Sequence, residues 1–291
     1  MATTAQSETG TLRSVLVRHA RDAFGSVEKI AAQWSDLNYQ AAPNFERAID
    51  EFDYFVELLE GTGANVVFAP GEAGATLDSI YARDAAIMTD SGAVLCAMGK
   101  SERSNEPQYL QPVLAAEGIE LLGSISGHGR LEGGDVAWLP GNRLAVGRSY
   151  RSNDEGFLQL LKLTQGIVEE AVQVSLPHWH GPGEVFHLMS ILSPVGSDAV
   201  LVYAPLLPVA FRLWLLERDL KLIEVPDEEF ASMGSNVLSV APDKCVALDG
   251  NLVTRSRLEK AGIEVLVYDG TEISRKGEGG PTCLTRPLVW E

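Results

Sequence analysis

The chain repeats one structural unit, and this repetition limits the folds that the sequence can adopt. Apolar residues with helical spacing run over residues 48–60, end at glycines 61 and 63, and are followed by a strand-like run over 64–68. The same succession of helix and strand recurs over residues 109–122, 155–174, 209–225 and 254–268. Recurrence about every 45–50 residues is typical of solenoids and propellers.

Pairs of short strands lie between these helices. The pairs are predicted over 85–88 with 93–96, 136–139 with 144–146, 188–192 with 199–203, and 237–240 with 245–248. The first unit lacks a second inner strand, and the run at 284–289 supplies it, which closes the ring and removes an exposed sheet edge. We therefore predict a single α/β domain of ββαβ units over 11–291, after a flexible tail over 1–10. The polar, irregular segment 23–43 is a candidate lid.

The overall composition is that of an ordinary soluble globular protein, with 45% hydrophobic and 22% charged residues. No apolar run approaches the roughly 20 residues of a membrane span. The first ten residues lack the basic start and apolar core of a signal peptide. Three cysteines, odd in number and far apart, argue against a disulfide framework. The default expectation is a cytoplasmic protein without a membrane partner.

The formal net charge of −17 bears on the class of partner. Binding to nucleic acid needs a basic face, so this charge argues against it. A strongly negative protein instead concentrates cations near its surface. The charge therefore fits a small cationic substrate, and the sequence leaves open whether the protein is a homo-oligomer.

Chemically active side chains stand at matching places in the repeat, where the inner strand of a unit begins. These places hold Asp78 and Asp84 in the second unit, Glu132 and Asp135 in the third, His187 in the fourth and Cys283 before the closing strand. If the units surround an axis, these residues face one cavity. A cysteine nucleophile, a histidine acid/base and carboxylates that bind a planar cation would then lie together.

Each of these residues also has an ordinary structural interpretation. Aspartate beside glycine is most often a turn residue, and a lone histidine is often a core residue with satisfied hydrogen bonds. The prediction of a site depends on the matching positions in the repeat. By contrast, Cys96 and Cys245 lie inside apolar runs, which predicts inert core thiols.

Three motifs resemble those of the guanidine-modifying enzymes of the pentein superfamily. The motifs are Glu132-Gly133-Gly134-Asp135, His187-Leu188-Met189-Ser190 and Gly280-Pro281-Thr282-Cys283. Residues 78–84 and 148–153 match further segments, so the resemblance covers almost the whole chain after Thr11. These enzymes include dimethylarginine dimethylaminohydrolase, arginine deiminase and the arginine amidinotransferases. The resemblance implies a five-bladed α/β propeller.

The resemblance also implies a reaction, the hydrolysis of arginine or an N-substituted arginine. Cys283 would be the nucleophile, His187 the general acid/base, and Glu132 would orient the histidine and bind the guanidinium group. The implied substrate-binding residues are Asp78, Asp84, Arg103 and Arg151, the two arginines clamping a carboxylate. The products would be a ureido compound such as citrulline and ammonia or an alkylamine. No metal or organic cofactor is implied.

Two positions depart from the family patterns and bear on the substrate. Met189 stands where deiminases and amidinotransferases usually have an aspartate, which favours the dimethylarginine hydrolases or an apolar nitrogen substituent. Arg83 stands where dimethylarginine hydrolases commonly have a glutamate, which favours the deiminases. Both residues are expected near the substrate, and they favour different substrates.

Two other functions stay open. An amidinotransferase would pass the amidino group to an amine acceptor, and a non-catalytic propeller would bind a partner, as a ribosome-binding translation factor with this fold does. A metal site is also suggested by residues 178–180, His-Trp-His, together with His187. Because Pro177 and Gly181 indicate a loop and no nearby cysteine or carboxylate completes a ligand set, we expect no metal.

Overall fold

The computed structural model describes residues 3–183 and 186–291. The strands are β1 (Leu12–Val17), β2 (Asn65–Phe68), β3 (Ala86–Thr89), β4 (Gly92–Leu95), β5 (Leu121–Ser124), β6 (Val136–Leu139), β7 (Arg143–Arg148), β8 (Glu170–Ser175), β9 (Leu192–Val195), β10 (Ala199–Val202), β11 (Lys221–Glu224), β12 (Leu238–Ala241), β13 (Lys244–Leu248), β14 (Glu264–Tyr268) and β15 (Thr285–Trp290). The α-helices are α1 (Ala20–Phe24), α2 (Val27–Gln33), α3 (Phe45–Gly61), α4 (Glu106–Ala116), α5 (Asp154–Leu163), α6 (Val209–Leu216), α7 (Asp227–Phe230) and α8 (Leu252–Lys260).

These strands form five three-stranded sheets with one common plan. The orders are β15-β1-β2, β3-β4-β5, β6-β7-β8, β9-β10-β11 and β12-β13-β14. In each sheet the middle strand pairs antiparallel with one neighbour and parallel with the other. A parallel neighbour requires a crossover, which a helix provides in every unit. The predicted α/β propeller of five ββαβ units is confirmed.

The last strand completes the first unit, as the repeat predicts. Residue Val17 of β1 lies opposite Thr285 of β15 on one side and Phe68 of β2 on the other. Trp290 in β15 is buried. Closure of the ring therefore joins the two ends of the chain and places the segment before β15, which carries Cys283, next to the axis.

Helix α3 shows how apolar spacing sets the packing. The residues that it buries are Ala48, Phe52, Phe55, Val56 and Leu59. The Asn44 side chain caps the helix by accepting a hydrogen bond from the Arg47 amide at 3.0 Å. The apolar stripe packs on β2 and β14, and the polar face stays in solvent. Among the residues described, no helix combines the length and apolar character that crossing a membrane requires.

One predicted strand lies elsewhere in the structure. Residues 188–192 were expected to form it, but Leu188–Ser190 is a short 3₁₀ helix and the strand is Leu192–Val195. The His187 amide donates a hydrogen bond to the Ser190 hydroxyl at 3.1 Å, which closes this turn. This hydrogen bond favours a turn over the strand that the apolar residues predict, and it holds His187 at the start of the blade.

Two segments without apolar spacing make defined contacts in the structure. Residues 1 and 2 of the tail predicted over 1–10 lie outside the described residues; within the rest, Thr4 pairs with Trp290 and Glu8 is buried. The irregular segment 23–43 contains the whole of α2, whose first turn is capped by the Ser26 hydroxyl. The tail lacks apolar spacing, so its polar anchors could not be recognised from sequence. The lid role of 23–43 and the domain boundary at residue 11 stay predictions.

Candidate active site

The turns that begin the inner strands surround one cavity. Of the predicted site residues, Asp78, Asp84, Arg103, Arg151, His187 and Cys283 line it. The cavity is closed on one side by Leu37 and Asn38, from the candidate lid, and on another by residues 277–279. The shared cavity that the repeat predicts is therefore present.

Cys283 lies in a loop whose neighbours fix it closely. The Asn236 amide nitrogen lies 3.3 Å from its Sγ, and the Asn236 oxygen accepts hydrogen bonds from the Thr282 amide and hydroxyl at 3.1 and 2.7 Å. Gly279 must be a glycine because a Cβ would collide with the Tyr81 ring. The thiol is thereby held at the cavity wall while it stays partly exposed.

The environment of the Cys283 thiol favours its neutral form. Burial raises the pKa of Cys283, and the negative charge of Asp84 raises it further, against the lowering effect of the hydrogen bond from Asn236. A cation bound between this thiol and Asp84 would reverse that balance. The two other cysteines, Cys96 and Cys245, are buried as predicted, and burial raises the pKa of Cys245 to about 12.

His187 and Glu132 form a buried pair, with 2.7 Å between Nε2 and Oε2. Glu132 Oε1 also accepts a hydrogen bond from the Gly99 amide at 2.8 Å. Burial opposes the charge on His187, but Asp84, Asp135 and Glu132 outweigh it and raise the pKa of His187 to about 9. Burial likewise opposes the charge on Glu132, and the hydrogen bond with His187 lowers its pKa. The pair is therefore an imidazolium and a carboxylate at neutral pH.

Asp84 lies on the other side of the His187 ring, with 4.0 Å between its Oδ1 and Nδ1. The same oxygen accepts a hydrogen bond from the Gly134 amide at 2.8 Å. A Cβ at Gly134 would collide with the His187 ring, so the Gly133-Gly134 pair allows the two turns to approach. We call Asp84, Glu132 and His187 the cavity cluster.

The two arginines predicted to clamp a carboxylate have different surroundings. The Arg103 guanidinium is buried and contacts Asp84 at 2.6 Å, Glu106 at 2.7 Å and the Tyr81 carbonyl at 2.9 Å. Arg151 lies 3.4 Å from Glu132, a longer and weaker contact. This placement suits Arg103 to hold Asp84 in position, and leaves Arg151 with donors for a ligand.

Arg83 and Met189 were expected near the substrate, and the structure places both behind the cavity wall. Arg83 is fully buried, and its Nε donates to the Thr282 carbonyl at 2.7 Å. Met189 is buried too, with its sulfur 3.5 Å from Arg83 Nη1. Sequence position could not reveal this, because both side chains start in 3₁₀ turns of different units and only tertiary packing brings them together. The substrate preferences inferred from them therefore lose their basis.

Among the residues that were missed are Lys100, which lines the cavity, and Asn236, which contacts Cys283. Lys100 Nζ lies 2.6 Å from Asp78 Oδ2 and donates to the Leu37 carbonyl at 2.9 Å, which links the candidate lid to the cavity. Asn236 stands just before β12, at the same place in the fifth unit that the other site residues occupy in theirs. The repeat alone could therefore have found Asn236, whereas no sequence signal marks Lys100.

A metal site has a geometric candidate among the described residues. Ligand atoms of Asp84, Glu132 and His187 lie within 4.8 Å of one another. His187 Nε2 and Glu132 already share a hydrogen bond, and Asp84 is paired with Arg103. The donor set is thus engaged internally and fits an ion poorly. At the other suggested metal site, the Nδ1 of His178 is engaged too, because it lies 2.6 Å from the Tyr150 hydroxyl.

The fold and the site together define the class of the protein. Five ββαβ blades surround a cavity lined by a thiol, a histidine and carboxylates, which is the architecture of the penteins. The structure is similar to that of a mutant dimethylarginine dimethylaminohydrolase (DDAH) from Pseudomonas aeruginosa complexed with citrulline, with a TM-score of 0.77 and 20% identity over 96% of this chain and 100% of that one. At this identity the likeness shows the fold alone.

Sequence comparisons give the family. The model of the arginine deiminase family matches residues 78–213 and 204–290, so the chain belongs to this family. The uncharacterized protein YkgA of Bacillus subtilis (strain 168) is 26% identical, over 99% of this chain and 95% of its own length. An arginine deiminase of Latilactobacillus sakei (strain 23K) is 25% identical over 72% of this chain, which spans 61% of that enzyme. Arginine deiminases are thus among its relatives.

Proposed function

We propose that the protein is a cysteine-dependent hydrolase of arginine or an N-substituted arginine, with Cys283 as nucleophile. The observation that carries this proposal is the cavity in which one partly exposed thiol shares a wall with His187 and the carboxylate of Asp84. A guanidinium ion presents paired N–H donors to a carboxylate, so Asp84 and Asp78 suit its recognition. Arg151 suits the substrate carboxylate.

The first half of the reaction forms a covalent intermediate. The bound guanidinium favours loss of the Cys283 proton to solvent, and the resulting thiolate attacks the guanidinium carbon. Protonated His187 gives its proton to the departing nitrogen, and the carbon–nitrogen bond breaks to release ammonia or an alkylamine. The product of this half is an amidino group joined to Sγ, a thiouronium.

The second half regenerates the enzyme. Neutral His187 takes a proton from water, which attacks the thiouronium carbon. The carbon–sulfur bond breaks, the thiolate leaves, the product gives one proton to solvent, and the ureido compound, citrulline when arginine is the substrate, is released. Glu132 supports both halves because its carboxylate stabilises the imidazolium and fixes the ring.

The test is an assay of ureido product with arginine, methylated arginines and agmatine, without any added amine. We expect turnover of at least one arginine derivative and little of agmatine, which lacks the carboxylate that Arg151 would bind. Cys283→Ser should lose activity by a factor on the order of 10⁴. The matched control is Cys245→Ala, which removes a buried thiol far from the cavity. Turnover by Cys283→Ser at the native rate would reject the covalent mechanism.

A requirement for a second amine would instead indicate an amidinotransferase. Absence of turnover, together with tight binding of guanidino compounds, would indicate a binding protein. Both results would contradict the hydrolase proposal.

A further inference from the structure

Arg83 contacts both peptide carbonyls around the proposed nucleophile. Its side-chain Nε donates to the Thr282 carbonyl at 2.7 Å, and its own backbone amide donates to the Cys283 carbonyl at 3.2 Å. Arg83 therefore holds the loop from behind, on the side opposite the open thiol. The front of the same loop is held by Asn236.

The other end of the Arg83 guanidinium is fixed by the N-terminal segment. Nη1 and Nη2 donate to the two oxygens of Glu8 at 3.0 and 3.3 Å, and both side chains are buried. Arg286 of β15 adds a second guanidinium, 3.8 Å from Glu8. We call Glu8, Arg83 and Arg286 the rear cluster.

Buried charges with paired geometry hold their neighbours rigidly, and removal of one partner leaves an uncompensated charge. One carboxylate is shared by two guanidinium groups in the rear cluster. Burial, together with the positive charge of Arg83, lowers the pKa of Arg286 to about 9, although the negative charge of Glu8 opposes this shift. Glu8 is thus the single counter-ion among the three members of the rear cluster. A contact with Glu8 is a strong constraint on where Arg83 lies.

We propose that Glu8 and Arg83 are positioning residues: the N-terminal segment, through Glu8, locks Arg83, and Arg83 fixes the loop that aims Cys283 at the substrate carbon. This inference rests on the proposed role of Cys283. Neither residue touches the cavity, so their effect is on the placement of the thiol and not on substrate binding. The segment predicted to be a loose tail becomes part of the catalytic framework.

The experiment compares Glu8→Gln and Arg83→Lys with the native chain. Lysine keeps the charge of Arg83 but cannot bridge Thr282 and Glu8 with one planar fork. We expect kcat to fall about 10–100-fold in both variants, because small misplacements of a reacting group cost this much, while KM changes by less than about threefold. The control is Glu291→Gln, which weakens the pair of Glu291 with Arg13, also between the two ends of the chain but at the surface.

A second readout does not require turnover. Loosening the loop exposes the thiol, so alkylation of Cys283 by iodoacetamide, followed on its peptide by mass spectrometry, should become at least about threefold faster while kcat falls. A purely structural loss would lower folded yield without separating these two rates. Melting temperatures confirm that each variant is folded at the assay temperature; if Arg83→Lys is not, Glu8→Gln and the milder Glu8→Asp decide.

Native kcat and native alkylation rates in the folded variants would overturn the proposal. This outcome differs from failure of the proposed function, in which Cys283→Ser would stay active. The alkylation rates would still decide the positioning role in that case.

Discussion

The two sides of the Cys283 loop carry similar buried residues in different settings. The cavity cluster contains two carboxylates and an imidazole, and Asp84 and His187 open onto the cavity. The rear cluster contains one carboxylate and two guanidinium groups, all buried away from it. A cation is therefore attracted in front of the thiol, while positive charge lies behind it. Both clusters contain buried charges, so what distinguishes them is whether a ligand can reach their side chains. Side chains that a ligand reaches can take part in chemistry, and side chains that it cannot reach can only support the loop.

The largest effect is expected in the cavity cluster. His187→Asn should lower kcat about 10²–10⁴-fold, because the leaving nitrogen and the attacking water both lose their acid/base. His178→Asn is the matched control, since His178 contacts Tyr150 and belongs to neither cluster. Steady-state assays of ureido product measure both variants. Equal losses in the two would contradict the role of His187.

The two arginines that line the cavity are expected to differ in role, with Arg151 acting in substrate binding and Arg103 in stability. Arg151→Gln should lower kcat/KM about 10–100-fold through KM, because the substrate carboxylate loses a charged hydrogen-bond donor. Thermal unfolding should change little, since its contacts with Glu132 are long.

Arg103→Gln should act on folding instead. It leaves the buried carboxylates of Asp84 and Glu106 without their partner, at a cost of about 3–5 kcal/mol in the free energy of unfolding. Denaturant titration of both arginine variants measures the contrast. A stable Arg103→Gln with a raised KM would instead restore Arg103 as a substrate clamp.

The pH profile tests the pairing of His187 with Glu132. His187 has a folded pKa of about 9, above its usual 6.5, so its proton is present below pH 9 and lost above it. The proposed acid step therefore predicts that kcat/KM falls as the pH rises through about 9. Glu132→Gln removes one of the charges that raise this pKa, and should move the alkaline limb down by about one pH unit. An unchanged limb would show that another group controls it.

The smallest effect is expected at Lys100, which forms an ion pair with Asp78. A substrate cation must displace it, so Lys100→Met should lower KM about threefold by removing this competition. Lys276→Met is a suitable control, because Lys276 makes an equivalent ion pair with Glu272 away from the lining of the cavity. A higher KM in Lys100→Met would show that Lys100 binds the substrate.

The fold and the centre of the candidate site could be predicted because both follow from the repeat. Apolar spacing predicted the five blades, and the blade starts brought Asp84, His187 and Cys283 to one cavity, with Glu132 buried behind His187. The same rule marks Asn236, once the fifth blade is included.

The directions of long side chains could not be predicted in this way. Arg83 and Arg103 both lie in 3₁₀ turns, and only tertiary packing places Arg83 behind the cavity wall and pairs Arg103 with Asp84. Glu8 has no apolar pattern around it, so its partner, 75 positions away in sequence, could not be found without the fold. Polar contacts between residues far apart in the sequence could therefore not be predicted.

The covalent intermediate tests the central claim most directly. The native enzyme is mixed with arginine or the best methylated arginine, quenched with acid during the first turnover, and the peptide that contains Cys283 is analysed by mass spectrometry. We predict a transient mass increase of one amidino group on Cys283, which decays as ureido product appears. Steady turnover with an unmodified Cys283 at every time, or the adduct on another residue, would contradict the account.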